Sequence, residues 1–198
     1  EKYTAPVLKW IKINAKPLVS VRDMTMVETL CKMLKSLFTS TMKDKASAAS
    51  ESAIEPAFVF SAIWAFGCTL SEKDGVDYRK NFSDFWKSEY KSVKIPSRET
   101  VFDYWLSPQT NSFDQWKNSP YFRTIEFDPH ETPMSQVTVP TPDTASVIHW
   151  MTGLVDLQAP IMLVGNAGCG KTQLINGLLS QQDVTKRLSL TVNFNFYT

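Results

Sequence analysis

The chain has 198 residues, 43% hydrophobic, 21% charged and 12% aromatic, with 21 Lys and Arg against 20 Asp and Glu for a net charge of +1. This composition excludes global disorder, and 7 Gly with 11 Pro exclude collagen-like and mucin-like chains. Near-zero charge removes the long-range attraction on which nucleic-acid binding relies. Cys31, Cys68 and Cys169 are odd in number and far apart, which argues against a disulfide scaffold or zinc site and for a reducing compartment.

The first residue is Glu1, and no apolar core with a cleavage site follows. No signal peptide is expected, and the chain reads as an excerpt of a longer one. Residues 1 to 19 carry scattered apolar positions between Pro6 and Pro17. A helix is expected from about Val21, with Ser20 as its cap. Met24, Val27, Leu30, Cys31, Leu34, Leu37 and Phe38 recur at three- and four-residue intervals and predict one apolar stripe. Residues Met42 to Ala53 are small and polar and read as a surface loop.

A second helix, about Ile54 to Leu70, is apolar nearly all round, as a helix buried in a bundle should be. It contains the longest uncharged run, Pro56 to Ser71, which is too short and too broken by Pro, Ser and Gly for a bilayer span. No membrane association is expected. A third helix, about Tyr78 to Tyr90, puts Tyr78, Phe82, Phe85 and Trp86 on one face, with Arg79, Lys80, Asp84 and Lys87 towards water.

From Ile95 to Pro133 prolines break any long helix. Thr100 to Leu106 and Tyr121 to Phe127 have strand composition, and Ser107 to Asp114 between them is turn-rich, which predicts a small hairpin joining two larger units. Asp128, His130 and Glu131 read as solvated turn residues in preference to a metal cluster. A fourth helix is expected from Pro142 or Asp143 to Leu157, capped by Thr141 or Asp143. Ile161 to Val164 has the short, wholly apolar character of a buried parallel strand.

Gly165-Asn166-Ala167-Gly168-Cys169-Gly170-Lys171-Thr172 follows at once and fits the phosphate-binding pattern G-x-x-x-x-G-K-[ST]. Glycines let the backbone curl so that successive N–H groups point at phosphate oxygens. The next helix, about Lys171 to Leu179, adds free N–H groups and the positive end of its dipole. In this reading Lys171 meets the β- and γ-phosphates of ATP or ADP, and Thr172 offers a hydroxyl to Mg²⁺. Cys169 reads as a small side chain in a crowded turn, with a redox-sensitive thiol as the lesser reading. Leu188 to Phe196 is a plausible neighbouring strand. The only carboxylate after Thr172 is Asp183, in a loop-like stretch. These residues therefore speak for nucleotide binding and supply no catalytic carboxylate for hydrolysis.

Several blocks together resemble dynein heavy chains, in particular axonemal ones of the outer-arm type. They are AFVFSAIWAFGCTL at Ala57 to Leu70, VDYRKNFSDFWKSEYKSVKIPSRETVFDYW at Val76 to Trp105, VPTPDT at Val139 to Thr144, PIMLVGNAGCGKT at Pro160 to Thr172 and VNFNFYT at Val192 to Thr198. The resemblance implies the end of the second and start of the third of six linked AAA+ modules. The fold expected is an α/β P-loop (AAA+) fragment preceded by an α-helical bundle subdomain with a small β connector. Residues 1–95 would be the helical small subdomain, 96–135 the connector and 136–198 the start of the next large subdomain. It further implies a ring that uses ATP for minus-end-directed movement on microtubules in cilia and flagella, with this module as a regulatory nucleotide site.

Carried over residue by residue, Gly165 to Thr172 would form the phosphate loop, and Val139 and Pro140 would lie against adenine. Implied partners are neighbouring modules, other heavy, intermediate and light chains, and microtubules through regions outside this sequence. The implied location is the cytoplasm and cytoskeleton, at the axoneme. Cys169 stands where many relatives carry Thr or Ser, and the fourth helix lacks the basic residues often found there. Two alternatives stand beside this reading: an interaction segment with an empty or non-hydrolysing site, and a free-standing small ATPase.

Overall fold

The computed structural model describes residues 2–43, 51–122, 130 and 139–194. Its centre is a helix with almost no polar face. This helix, Glu51–Gly67, buries Val59, Phe60, Ala62, Ile63, Trp64, Ala65 and Phe66 one after another, so neighbours must cover it on every side. Numbered in chain order, the helices are α1 (Thr4–Asn14), α2 (Asp23–Lys43), α3 (the central Glu51–Gly67), α4 (Tyr78–Glu89), α5 (Pro142–Asp156) and α6 (Lys171–Ser180). Two antiparallel hairpins complete the described structure: β1 (Glu72–Lys73) with β2 (Val76–Asp77), and β3 (Tyr104–Ser107) with β4 (Ser112–Gln115).

α1 was not foreseen in the sequence. It buries Val7 and Ile11, one turn apart, and Tyr3 before it stacks on Trp86 at 6.1 Å. α2 begins at Asp23, and its buried face is Met26, Leu30, Met33 and Ser36. The expected stripe is therefore rotated: Met24 is 79% exposed and Cys31 also faces out. The reason is that α2 packs against both α3 and α5, and it meets α5 across Ser36, a residue that apolar periodicity does not pick out. Five residues assigned to the Met42 to Ala53 loop are helical, Met42 and Lys43 in α2 and Glu51 to Ala53 in α3; positions 44–50 lie outside the described residues.

α4 is capped by Asp77, whose carboxylate accepts from Lys80 N–H at 3.0 Å. It buries Tyr78, Phe82 and Trp86, while Phe85 stacks on Trp10 at 4.8 Å. The β3–β4 register pairs Tyr104 with Gln115 and Ser107 with Ser112. The expected hairpin exists, but its return strand comes earlier than Tyr121 to Phe127. Tyr121 and Phe122 form a bend, and 123–127 lie outside the described residues. The chain turns back early because Asn111 takes a left-handed conformation, φ 50°, and closes the turn with an Asn111 N–H to Ser107 C=O bond of 2.9 Å. Two 3₁₀ turns, Val101–Asp103 and Trp116–Asn118, fold this hairpin onto α3, and Trp116 donates its indole N–H to Phe102 C=O at 2.8 Å.

α5 joins the same core. Thr141 caps it by accepting from Thr144 N–H at 3.1 Å, and Pro142 occupies the first turn. Trp150 stacks on Phe60 of α3 at 5.0 Å, and Ala145 is fully buried. At its N-terminal end Asp143 faces Arg79 of α4 at 3.7 Å, and Arg79 itself lies over the Phe102 ring at 4.4 Å. Among the described residues no helix is long and apolar enough to cross a membrane.

The parallel strands expected around the glycine loop are absent from the described residues. Residues 159–166 carry no strand, and Met162 is 79% exposed. Residues 187–194 likewise carry none, with Leu188, Leu190 and Phe194 almost fully exposed. A strand exists only when a neighbour completes its hydrogen-bond ladder, and neither run pairs with the other here.

Candidate functional site

The glycine loop continues from the irregular segment 159–166 and runs into α6. Gly168 and Gly170 take φ of 78° and 83°, values that side chains with a Cβ rarely adopt. Gly170 is the N-cap of α6, and its left-handed conformation turns the chain into the helix, whose first bond is Leu174 N–H to Gly170 C=O at 3.0 Å. No side chain caps this end. The first-turn amides that a Ser or Asp cap would normally satisfy are left for another acceptor. Gly165 serves a different purpose. A Cβ there would lie 2.9 Å from Cys169 Sγ, so a side chain at 165 would have to turn the exposed thiol aside.

Lys171 closes the loop from inside. Its ammonium donates to Gly165 C=O at 3.0 Å and Asn166 C=O at 2.7 Å, and contacts Cys169 Sγ at 3.3 Å. The loop thus holds one positive charge against two of its own carbonyls. These are neutral acceptors, and a phosphate oxygen would offer the same ammonium a full opposite charge. Thr172 follows in the first turn of α6 with an exposed side chain. An uncapped helix start, left-handed glycines and a lysine within reach fit the tail of a nucleoside di- or triphosphate with its Mg²⁺. Thr172 has a side-chain hydroxyl suited to that ion.

Gly165 to Lys171 are gathered into one turn. Val139 and Pro140 stand in the strap that leads to the Thr141 cap, the first 66% exposed and the second half-buried. Asp183 lies just beyond α6 and accepts from the Thr185 hydroxyl at 2.6 Å, from Thr185 N–H at 3.0 Å, and pairs with Lys186 at 3.1 Å. Those bonds, led by the Thr185 hydroxyl, hold its carboxyl below the usual range and make it a turn-forming residue. His130 is exposed; Asp128 and Glu131 lie outside the described residues, among which no three ligating side chains converge.

α6 rests on α5: Leu178 is buried, and Arg187 beyond it pairs with Asp156 at 3.0 Å. The loop is therefore carried by α5, and α5 by the helical core. One residue of that connection was missed in the sequence. His149 lies on the inner face of α5 beside Trp150, with ring centroids of Phe60, Trp116 and Tyr121 within 5.7, 5.6 and 4.8 Å. Helical periodicity places position 149 one turn after buried Ala145, and that was the available signal.

Two family descriptions match the chain: the dynein heavy chain AAA lid domain over residues 1–118, and the P-loop containing dynein motor region over 126–198. Among individual relatives, the dynein alpha chain of the flagellar outer arm of Chlamydomonas reinhardtii is 37% identical over 198 residues. Dynein axonemal heavy chain 9 of Homo sapiens is 38% identical over 199, and the ciliary dynein beta chain of Heliocidaris crassispina 36% over 198. Each alignment covers 100% of this chain and 4% of the relative, so the chain spans a small part of the length of the proteins it matches.

Proposed function

The chain belongs to the dynein heavy-chain family, with axonemal chains as its relatives, and on that premise we propose that Gly165–Thr172 binds ATP or ADP with Mg²⁺ as a regulatory site in a motor ring. The observation that carries this reading is the combination at one point of left-handed Gly168 and Gly170, an uncapped α6 and the Lys171 ammonium. The loop amides and first-turn amides of α6 would receive the phosphates. Lys171 would exchange its two carbonyl partners for β- and γ-phosphate oxygens, and Thr172 would hold Mg²⁺ through its hydroxyl. The ion supplies charge neutralisation between phosphates. Val139 and Pro140, at the foot of α5, would lie against the adenine.

In this proposal residues 1–95 act as the small subdomain of one module, 96–135 as connector and 136–198 as the start of the next. The proposed setting is minus-end-directed movement on microtubules in cilia and flagella, alongside neighbouring modules and other heavy, intermediate and light chains. Nucleotide would act by binding one relative arrangement of adjacent modules better than another. Hydrolysis is not assigned to these residues, because Asp183 is tied into its own turn.

The satisfied Lys171 favours one alternative, a structural segment whose loop is closed on itself. Lys171→Ala in the heavy chain separates the two. Loss of a charge-assisted contact should weaken nucleotide affinity at this module by roughly 10- to 150-fold, from about 1.5–3 kcal/mol. Unchanged affinity rejects the role given to Lys171 and supports the closed structural loop.

A further inference from the structure

We propose that His149 is a proton-sensitive fastener between the helical core and the glycine-loop segment: the neutral ring lets α5 seat in the aromatic cluster, and its protonation releases α5 while α1 to α4 stay packed.

His149 is half-buried as a whole, and its ring is packed among other rings with its two nitrogens inward. Phe60 of α3, Trp116 of the second 3₁₀ turn, Tyr121 of the bend after it and Trp150 of α5 all pack on it. Tyr121 and Trp150 stand edge to face, at 79° and 71°. Among the described residues neither Nδ1 nor Nε2 finds a hydrogen-bond partner, and both atoms are closed off from solvent. A neutral imidazole survives there as an aromatic disc. An imidazolium would carry a charge and two unsatisfied donors into a low-dielectric pocket, which is costly without a partner.

Among the described residues no partner is at hand. Tyr121 is the titratable side chain in ring contact with it. Other charges on the surrounding elements are engaged elsewhere or face water. On α3, Glu55 pairs with Lys2, and on α5, Asp143 pairs with Arg79 and Asp156 with Arg187. Lys117 on the 3₁₀ turn is exposed, and α2 meets α5 through Ser36. Burial alone pushes His149 down to about 4, with no opposing contribution from a carboxylate.

The location gives the charge its consequence. α5 is held by the Phe60–Trp150 stack, the Gly153–Ser36 approach and the Arg79–Asp143 pair, and only the first sits around an ionisable ring. The sign follows from the depressed value. Between pH 6.5 and about 4 the released histidine binds more protons than the seated one, so seating is fully favourable above 6.5 and weakens as pH falls through that window. At pH 4.5 the seating equilibrium should be lower by about 50- to 100-fold than at pH 7.5, from the one-proton linkage.

This proposal does not depend on nucleotide binding. It is tested on the 198-residue chain by amide hydrogen exchange at pH 7.5 and 4.5, corrected for intrinsic rates, in wild type and His149→Phe. The expected result is a fall in α5 protection of about that factor relative to α3 in wild type, and little fall in His149→Phe. Equal falls in both proteins, or parallel loss in α3 and α5, overturn the proposal. Should phenylalanine fail to fold, His149→Gln replaces it as the non-titrating control, read against the same two outcomes. Ring-labelled histidine gives an independent reading, since the chain has 2 His. His149 must then titrate together with the loss of α5 protection; an α5 that stays protected after the ring is protonated overturns the proposal equally.

Discussion

Gly153→Ala measures directly how tightly α5 is held. A Cβ at position 153 would lie 2.0 Å from Ser36 Oγ and 3.2 Å from Ser36 Cβ. The hydroxyl can rotate away, because it ends a short side chain. Ser36 Cβ cannot, because the α2 backbone fixes it, and Ser36 is only 8% exposed. The two helices must therefore part by a few tenths of an ångström. Overpacking of this kind costs about 1–3 kcal/mol. Against it stands the helix preference of alanine over glycine, about 1 kcal/mol in favour of the variant. The net expectation is a loss of roughly 0–2 kcal/mol, where propensity alone predicts a gain.

A double-mutant cycle with Ser36→Ala separates the two contacts. Removing Oγ deletes the 2.0 Å contact, which rotation already relieves, and leaves the 3.2 Å one that carries the cost, so the cost of Gly153→Ala should change by no more than about 0.5 kcal/mol in the Ser36→Ala background. Urea unfolding followed by tryptophan fluorescence is the assay, because Trp150 lies about one turn before position 153 in the same buried cluster. If Gly153→Ala stabilises the chain by about 1 kcal/mol in both backgrounds, the α2–α5 approach is looser than described and the reasoning fails.

Two further substitutions probe glycines of opposite kinds. In Gly67→Ala the new Cβ would lie 2.5 Å from Phe102 Cζ and 3.2 Å from Phe82 Cε1, both rings being buried, so chemical denaturation should register a loss of about 1–3 kcal/mol despite the better helix former. In Gly170→Ala nothing crowds the new Cβ, but φ of 83° penalises it by about 1–2 kcal/mol. That cost falls on the loop, so calorimetric titration should show weaker nucleotide binding with tryptophan-reported unfolding nearly unchanged; full affinity would show that the left-handed turn is dispensable.

The helical elements were legible where periodicity and caps agreed. Asp77 before Tyr78, and Thr141-Pro142 before the fourth helix, are cap signals that act locally, and both helices begin there. The glycine loop was legible for the same reason, since φ at 168 and 170 is a property of the residues themselves. The β1–β2 turn was legible too and went unread: Asp74-Gly75, at φ 55° and 75°, is a strong two-residue hairpin signal. What did not follow was anything set by a distant neighbour. The face of α2 depends on α5, more than a hundred residues away in sequence, and Ile161 to Val164 has strand composition without a strand beside it. Composition specifies what a segment would do given a partner and is silent on whether the partner is there.

That distinction matters most at α5. By sequence it falls in the P-loop motor region, residues 126–198, beyond the lid match that ends at 118. By packing it is a lid helix: Ala145 and Trp150 share one apolar cluster with Tyr3, Phe60, Phe82 and Trp116. Separating α5 from that cluster would expose Ala145 and Trp150, a gross cost of about 2–3 kcal/mol for the large side chain alone. The step out of α5 costs far less. Gln158 already takes a left-handed φ of 56°, and residues 160 to 170 are nearly all exposed. A displacement of the glycine loop relative to the lid is therefore absorbed more cheaply after Leu157 than before Pro142. The physical joint between lid and glycine loop lies inside the P-loop region, one helix later than the sequence families divide it.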